Sequence, residues 1–299
     1  MNQTRHSERI ARWLVSGPPL LYLLVFFAIP GLIMVLASFR TPGEFGGLAP
    51  LLDPAGGLDL NLDSYARFFE DTLYAQIFLK SVLFALATTI ICLLLAYPLA
   101  VLIAKSPPQH RNLLLLLVIL PFWSNFLIRI YAWMLILGPQ AALARAVNAV
   151  LDVFGVAPVN LLFSAFAVLV CLVYVHLPFM VLPLYANLEK HDQALLDAAQ
   201  DLGANGWQRF WRITFPLSLP GVYAGAALVF SPALGIFAIP DILGGPDDSL
   251  IGNVIKQQFL ESRDWPFGSV LSIVLTVAAL ALAGLAAWVG RGRREVTRA

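Results

Sequence analysis

Six apolar blocks, separated by shorter polar stretches, set the pattern of the chain: Trp13–Phe39, Gln76–Ala104, Asn112–Leu137, Leu161–Asn187, Leu217–Pro240 and Phe267–Gly290. Each is longer than the roughly 20 residues that a helix rising 1.5 Å per residue needs to cross about 30 Å of hydrocarbon. The pattern therefore predicts an all-α membrane protein with six transmembrane helices. The first block is too long for the apolar core of a signal peptide, and no clear small-residue cleavage site follows it, so it reads as a retained helix. Prolines punctuate the blocks at Pro18, Pro19, Pro30, Pro98, Pro121, Pro178, Pro183, Pro232 and Pro240. Membrane helices tolerate them where neighbours or water satisfy the freed carbonyls.

The polar stretches carry lesser elements. Gly43–Gly57 is rich in Gly and Pro and reads as irregular. Asn61–Asp71 reads as a short helix opened by Asn61 or Asp63. In Gln140–Phe154, Ala142, Ala146, Val147 and Val150 share one face, which suggests an interfacial helix. With no repeat or low-complexity region, the chain reads as one membrane domain over residues 1–299, embedded over about 13–290.

Orientation follows from Lys and Arg. One set of block ends holds Arg5, Arg9, Arg12, Lys105, Arg111, Lys190, Arg209, Arg212, Arg291, Arg293, Arg294 and Arg298. The opposite loops hold Arg40, Arg67, Arg145, Lys256 and Arg263. The first side is expected to be cytoplasmic, together with both termini. Most acids, including Glu44, Asp63, Glu70, Asp71, Asp241, Asp247, Asp248 and Asp264, fall on the other side. They read either as an acidic vestibule that concentrates a cationic solute or as an ordinary solvated loop surface.

Composition agrees with lipid as solvent: 59% of the 299 residues are hydrophobic and 12% charged, with mean hydropathy +0.79. A soluble domain carries about 25% charged residues. Net charge is +1, so the overall balance gives no nucleic-acid signal. Cys92 and Cys171 lie inside apolar blocks and read as buried thiols. The chain has no phosphate-cradling G-x-x-x-x-G-K-[ST], no H-E-x-x-H, no C-x-x-C and no G-x-S-x-G. The four histidines are scattered, so no metal or catalytic site is expected. His176, within a block, reads as a hydrogen-bonded interhelix residue in preference to a proton relay.

The polar segment Glu189–Pro216 is the most distinctive. It reads as two short helices broken at Gly203, which fits a helix C-cap requiring positive φ. In the first helix Leu188, Leu195, Ala199 and Leu202 fall on one side, with Glu189, Asp192 and Gln193 on another. In the second, Trp207, Phe210 and Trp211 stand at i, i+3 and i+4 and form one aromatic face. That face either buries against the membrane domain or docks in a partner groove. Asp197, Ala198, Ala199, Gly203, Ile213 and Pro216 fit the spacing E-A-A-x3-G-x9-I-x-L-P. The segment thus resembles the coupling loop of the membrane subunits of binding-protein-dependent ABC importers. The resemblance implies the type I ABC importer permease fold and an ATPase on a separate chain, whose cleft receives this loop. Asp197 takes the acidic position, one methylene shorter than the usual Glu; Gly203 takes the turn, and Trp207 joins the coupling set.

The stretches Pro121–Trp133, Leu177–Lys190, Leu243–Leu260 and Arg263–Gly268 resemble, more narrowly, the permease subunits of spermidine/putrescine importers of the PotB/PotH type. The resemblance covers about residues 60–290. It implies two ATP-binding subunits that hold ATP and Mg, a second permease, and a periplasmic polyamine-binding protein. It also implies a bacterial inner-membrane location and no cofactor on this chain. A polycationic chain needs carboxylates for its ammonium groups and aromatic faces for its methylenes. The candidates are Trp123, Tyr131, Tyr174, Phe179, Phe237 and Asp241; the aromatics read equally as packing residues, and Asp241 as a solvated loop acid. Arg129, inside the third block, is expected to snorkel outward, to pair with an acid such as Asp241 or to face the partner permease, the ion pair being the preferred reading, because a lipid-facing Arg costs about 2.5–3.5 kcal/mol near a membrane midplane. The same architecture importing another small organic cation, or a phosphonate, remains the alternative. A secondary transporter or channel would leave Asp197–Pro216 without a role, and an intramembrane enzyme has no catalytic constellation here.

Overall fold

The computed structural model describes residues 15–50 and 60–296, with side chains through residue 284. Arg5, Arg9, Arg12, Asp53, Asp59 and Arg298 lie outside the described residues. The helices are α1 Val15–Ala37, α2 Asp63–Glu70, α3 Thr72–Lys105, α4 Pro108–Ile119, α5 Phe126–Leu137, α6 Ala142–Val153 and α7 Ala165–Leu188. They continue with α8 Gln193–Asp201, α9 Gly206–Arg209, α10 Phe215–Gly235, α11 Ala238–Leu243, α12 Ile251–Leu260 and α13 Trp265–Val296. The sole extended pairing among the described residues is an isolated bridge between Pro42 and Leu48.

Six helical stretches are long and apolar enough to cross a membrane: Val15–Ala37, Thr72–Lys105, Phe126–Val153, Ala165–Leu188, Gly206–Gly235 and Trp265–Gly284. Four of them match the first, second, fourth and sixth blocks closely. The third block does not run as one helix. It breaks after α4 into a 3-10 turn, Leu120–Trp123, and restarts at α5. Pro121 has no N–H to continue the ladder. Ser124 is extended, and Asn125 then caps α5 by accepting from the Leu127 amide at 2.8 Å. The fifth stretch starts earlier than its apolar pattern, because α9 passes through a π-helical turn, Phe210–Thr214, directly into α10.

Contacts group the chain into two units, Met1–Thr72 with Ile255–Thr276, and Leu73–Val254 with Val277–Ala299. In the first, α1 is apolar and exposed on every side down to Leu36. The turn after it is fastened by backbone bonds Gly43 N to Gly47 O and Gly47 N to Arg263 O, at 3.2 and 2.7 Å. Arg67 pairs with Asp264 at 3.1 Å and lies over Phe267. Asp264 also accepts from the Phe267 amide and so caps the start of α13.

The second unit is organised around α7, whose buried residues include Ala167, Val168, Cys171, Leu172, Met180, Val181 and Leu184. α10 packs on it backbone to backbone. A Cβ on Gly221 would stand 2.8 Å from Asn187 Cβ and 3.0 Å from Pro183 O; one on Gly225 would stand 2.6 Å from Met180 Sδ. Glycines four apart on one helix face permit this approach, the main source of helix affinity where lipid removes the hydrophobic drive. α3 presents a similar stripe of small buried residues: Ser81, Ala85, Thr88, Cys92, Ala96 and Ala100. Both cysteines are buried as free thiols.

Candidate functional site

The polar loop between α7 and α10 is built by local capping. Asp192 accepts from the Ala194 amide at 3.0 Å and opens α8. α8 ends where Gly203 takes φ +83°. There the Ala204 amide returns to Ala199 O at 2.9 Å and the Gly203 amide to Gln200 O at 2.8 Å, the paired bonds of a Schellman cap. Asn205 and Gln208 then form a reciprocal capping box that opens α9. Asp197, Ala198, Gly203 and Trp207 are exposed on this loop, Ala199 and Ile213 half-buried, and Pro216 exposed at the head of α10.

The aromatic face divides in two. Phe210 turns inward, 5.4 Å from the Tyr97 ring. Tyr97 bonds Ser218 at 2.8 Å, and since the Ser218 hydroxyl donates to Phe215 O, the tyrosine is the donor. Trp207 stays 71% exposed and Trp211 46%, their rings 5.6 Å apart, and Leu202 of the same loop is 89% exposed. The capped loop thus carries two exposed tryptophans, an apolar surface free for a neighbour, while Phe210 packs into the core. A second anchor lies at its entrance, where Arg111 of α4 pairs with Glu189 at 2.5 Å.

The other site surrounds Asp241, in the first turn of α11. An open depression of about 480 Å³ is lined by Asp241, Phe163, Gly244, Gly245, Ser249 and Asn253. Asn253 donates to Phe237 O at 3.0 Å and also to the Asp241 carboxylate. It thereby ties together two of the residues expected to line a substrate path. Phe163 has φ 55°, unusual for a bulky side chain, and its ring is 61% exposed. The loop behind the depression is fixed to α3: Lys80 pairs with Asp248 at 3.0 Å, and the Ile251 amide donates to Ser81 Oγ at 2.8 Å. Phe163, Ser249 and Asn253 escaped the sequence reading because they join Asp241 only through tertiary folding. The sole hint was the distinctive stretch Leu243–Leu260.

Residues 72–295 match the family described as binding-protein-dependent transport system inner membrane component. The chain belongs to this family. It is therefore a multi-pass inner-membrane permease, a transport subunit with the ABC importer permease fold. The permease is 45% identical over 258 residues to the spermidine/putrescine transport system permease protein PotB of Haemophilus influenzae, covering 86% of each chain. It is 44% identical over 258 residues to PotB of Escherichia coli K12, covering 86% of this chain and 89% of that one. A solved bacterial alginate ABC transporter, in complex with an alginate pentasaccharide-bound periplasmic protein, shares the fold. Its TM-score is 0.68 at 18% identity, over 94% of each chain.

The remaining path candidates of the permease do not gather at Asp241. Tyr174 packs edge-on against Trp133 at 5.6 Å, and Phe179 against Phe122 at 5.0 Å. Trp123 and Tyr131 are exposed and make no ring contact with another described residue. His176 bonds Leu172 O at 2.8 Å within its own helix, and the expected interhelix hydrogen bond is not seen among the described residues. Arg129 makes no ion pair among the described residues. The expected partnership with Asp241 is absent, and the guanidinium lies over the rings of Phe122 and Phe126 at 5.3 and 5.8 Å.

Proposed function

We propose that this permease imports polyamines, spermidine and putrescine, across the bacterial inner membrane. The supporting observation is the 44–45% identity to PotB proteins over 86% of the chain. The chemistry at Asp241 fits a cationic chain: a carboxylate for an ammonium group, amide and hydroxyl groups beside it, and an exposed aromatic ring across the depression. The termini and the Asp197–Pro216 loop lie on the cytoplasmic side, as the excess of Lys and Arg there dictates. Two ATP-binding subunits hold ATP and Mg and receive Asp197, Ala198, Ala199 and Gly203, with Trp207 as an apolar anchor. A second permease completes the path, and a periplasmic polyamine-binding protein delivers the solute to the Asp241 side.

The test is uptake of labelled spermidine and putrescine in cells lacking their own polyamine importers, with the permease and its three partner proteins co-expressed. Uptake is expected from the wild type. Asp197→Lys abolishes it by placing a cation where the ATPase meets an acid. Asp241→Asn lowers it at least tenfold while the complex still assembles. An assembled, ATP-hydrolysing complex that takes up neither polyamine would sink the substrate assignment and leave the architecture standing.

A further inference from the structure

Arg129 is over nine-tenths buried, yet its guanidinium has no hydrogen-bond acceptor and no carboxylate partner among the described residues; Nε is fully enclosed without one. Its position compounds the problem. Arg129 is the fourth residue of α5, at the end where the helix dipole is positive, so dipole and side chain repel. Helical side chains lean toward the N-terminus, and the two rings beneath the guanidinium belong to Phe122 and Phe126, at and before that end. The rings offer their negative faces but no net charge. A buried guanidinium whose enclosed Nε has no acceptor, set beside two aromatic faces, is a site that an anion would complete.

We infer that this anion is a carboxylate of the second permease subunit, inserted at the break between α4 and α5. The inference rests on the paired-permease reading above. Depth selects the source. Arg129 lies inside the third apolar block, Asn112–Leu137, eight residues before its end, about 12 Å along a helix rising 1.5 Å per residue. A lipid phosphate resides at the membrane surface, whereas a side chain carried by a neighbouring helix reaches this level. The planar fork of Arg also matches a carboxylate with two parallel hydrogen bonds. A cationic solute is repelled here, so the site lies off the polyamine route.

The test uses the full complex, purified through a tag on this chain, with the amount of second permease retained as the readout. Arg129→Gln is expected to lower retention at least fivefold, and Arg129→Lys to lower it less. Membrane levels of each variant expressed alone check that the chain still folds. Independently, each intramembrane Asp and Glu of the second permease is neutralised one at a time in the wild-type background. One neutralisation should reproduce the loss, and combining it with Arg129→Gln should add nothing further. Retention unchanged in Arg129→Gln, or no partner acid that reproduces the defect, overturns the inference. Transport lost with retention intact also overturns it, in favour of a mobile anion. Failure of the wild type to retain a second permease would instead refute the paired-permease reading.

Discussion

Asn253 shows how one residue can organise a site it was not expected to join. Its amide nitrogen serves both Phe237 O and the Asp241 carboxylate, while its oxygen accepts from the Leu250 amide at 3.0 Å. Replacement by Leu takes the acceptor from the Leu250 amide and removes one donor each from the Asp241 carboxylate and from Phe237 O, which keeps the Asp241 amide; a group left unsatisfied costs about 1–3 kcal/mol if it is buried, less where water reaches it. Asp241 is exposed, so the fold should survive and the loss should appear as disorder of the carboxylate. Asn253→Leu is expected to raise the apparent KM for polyamine uptake severalfold with a smaller change in maximal rate. An unchanged KM would remove Asp241 from the path.

At the scale of elements, the polar loop was the most legible part of the chain, because its rules are local. Gly203 reads from spacing as the C-cap; Asp192, Asn205 and Gln208, not singled out as caps in the sequence, likewise act through backbone groups within a few residues. Asn205→Ala removes a cap worth about 1 kcal/mol and should fray α9, lowering ATPase affinity in pull-downs without unfolding the membrane helices. Gly203→Val meets no neighbouring atom but must adopt φ +83°, so it should be worse than Gly203→Ala in the same assay. Equal retention of the ATPase by all three variants and the wild type would show that the loop does not depend on its caps. The substrate path was less legible for a physical reason. In a soluble helix the buried face is the apolar one, whereas here lipid-facing and buried faces are both apolar. On α3 the buried stripe is marked by smallness, through Ser81, Ala85, Cys92, Ala96 and Ala100, while leucines face outward. The division of the third block is likewise a tertiary outcome. Pro121 is one of several intrahelical prolines, and Pro98, Pro178, Pro183, Pro220 and Pro232 leave their helices unbroken.

For the whole molecule, the proposed docking of an ATPase at Asp197 poses the question of how a push there would reach the membrane. The loop has two ends, one running back into α7 and the other forward through the π turn into α10. Those two helices touch backbone to backbone at Gly221 and Gly225, and Tyr97 of α3 grips α10 one turn beyond the π turn through Ser218. Force on the loop therefore moves α7 and α10 together, provided the glycine contact holds. A leucine at position 225 would drive its Cβ to within 2.6 Å of Met180 Sδ and 3.2 Å of Met180 O, and overpacking of this kind costs about 1–3 kcal/mol. The loop itself, its caps and Asp197 are untouched by that substitution. Gly225→Leu should thus retain the ATPase and its hydrolysis while polyamine uptake per ATP falls severalfold. Gly225→Ala, which asks Met180 to move less, should fall between that variant and the wild type. Hydrolysis and uptake declining in proportion would mean that the α7–α10 contact carries stability alone, and that the push travels by another route.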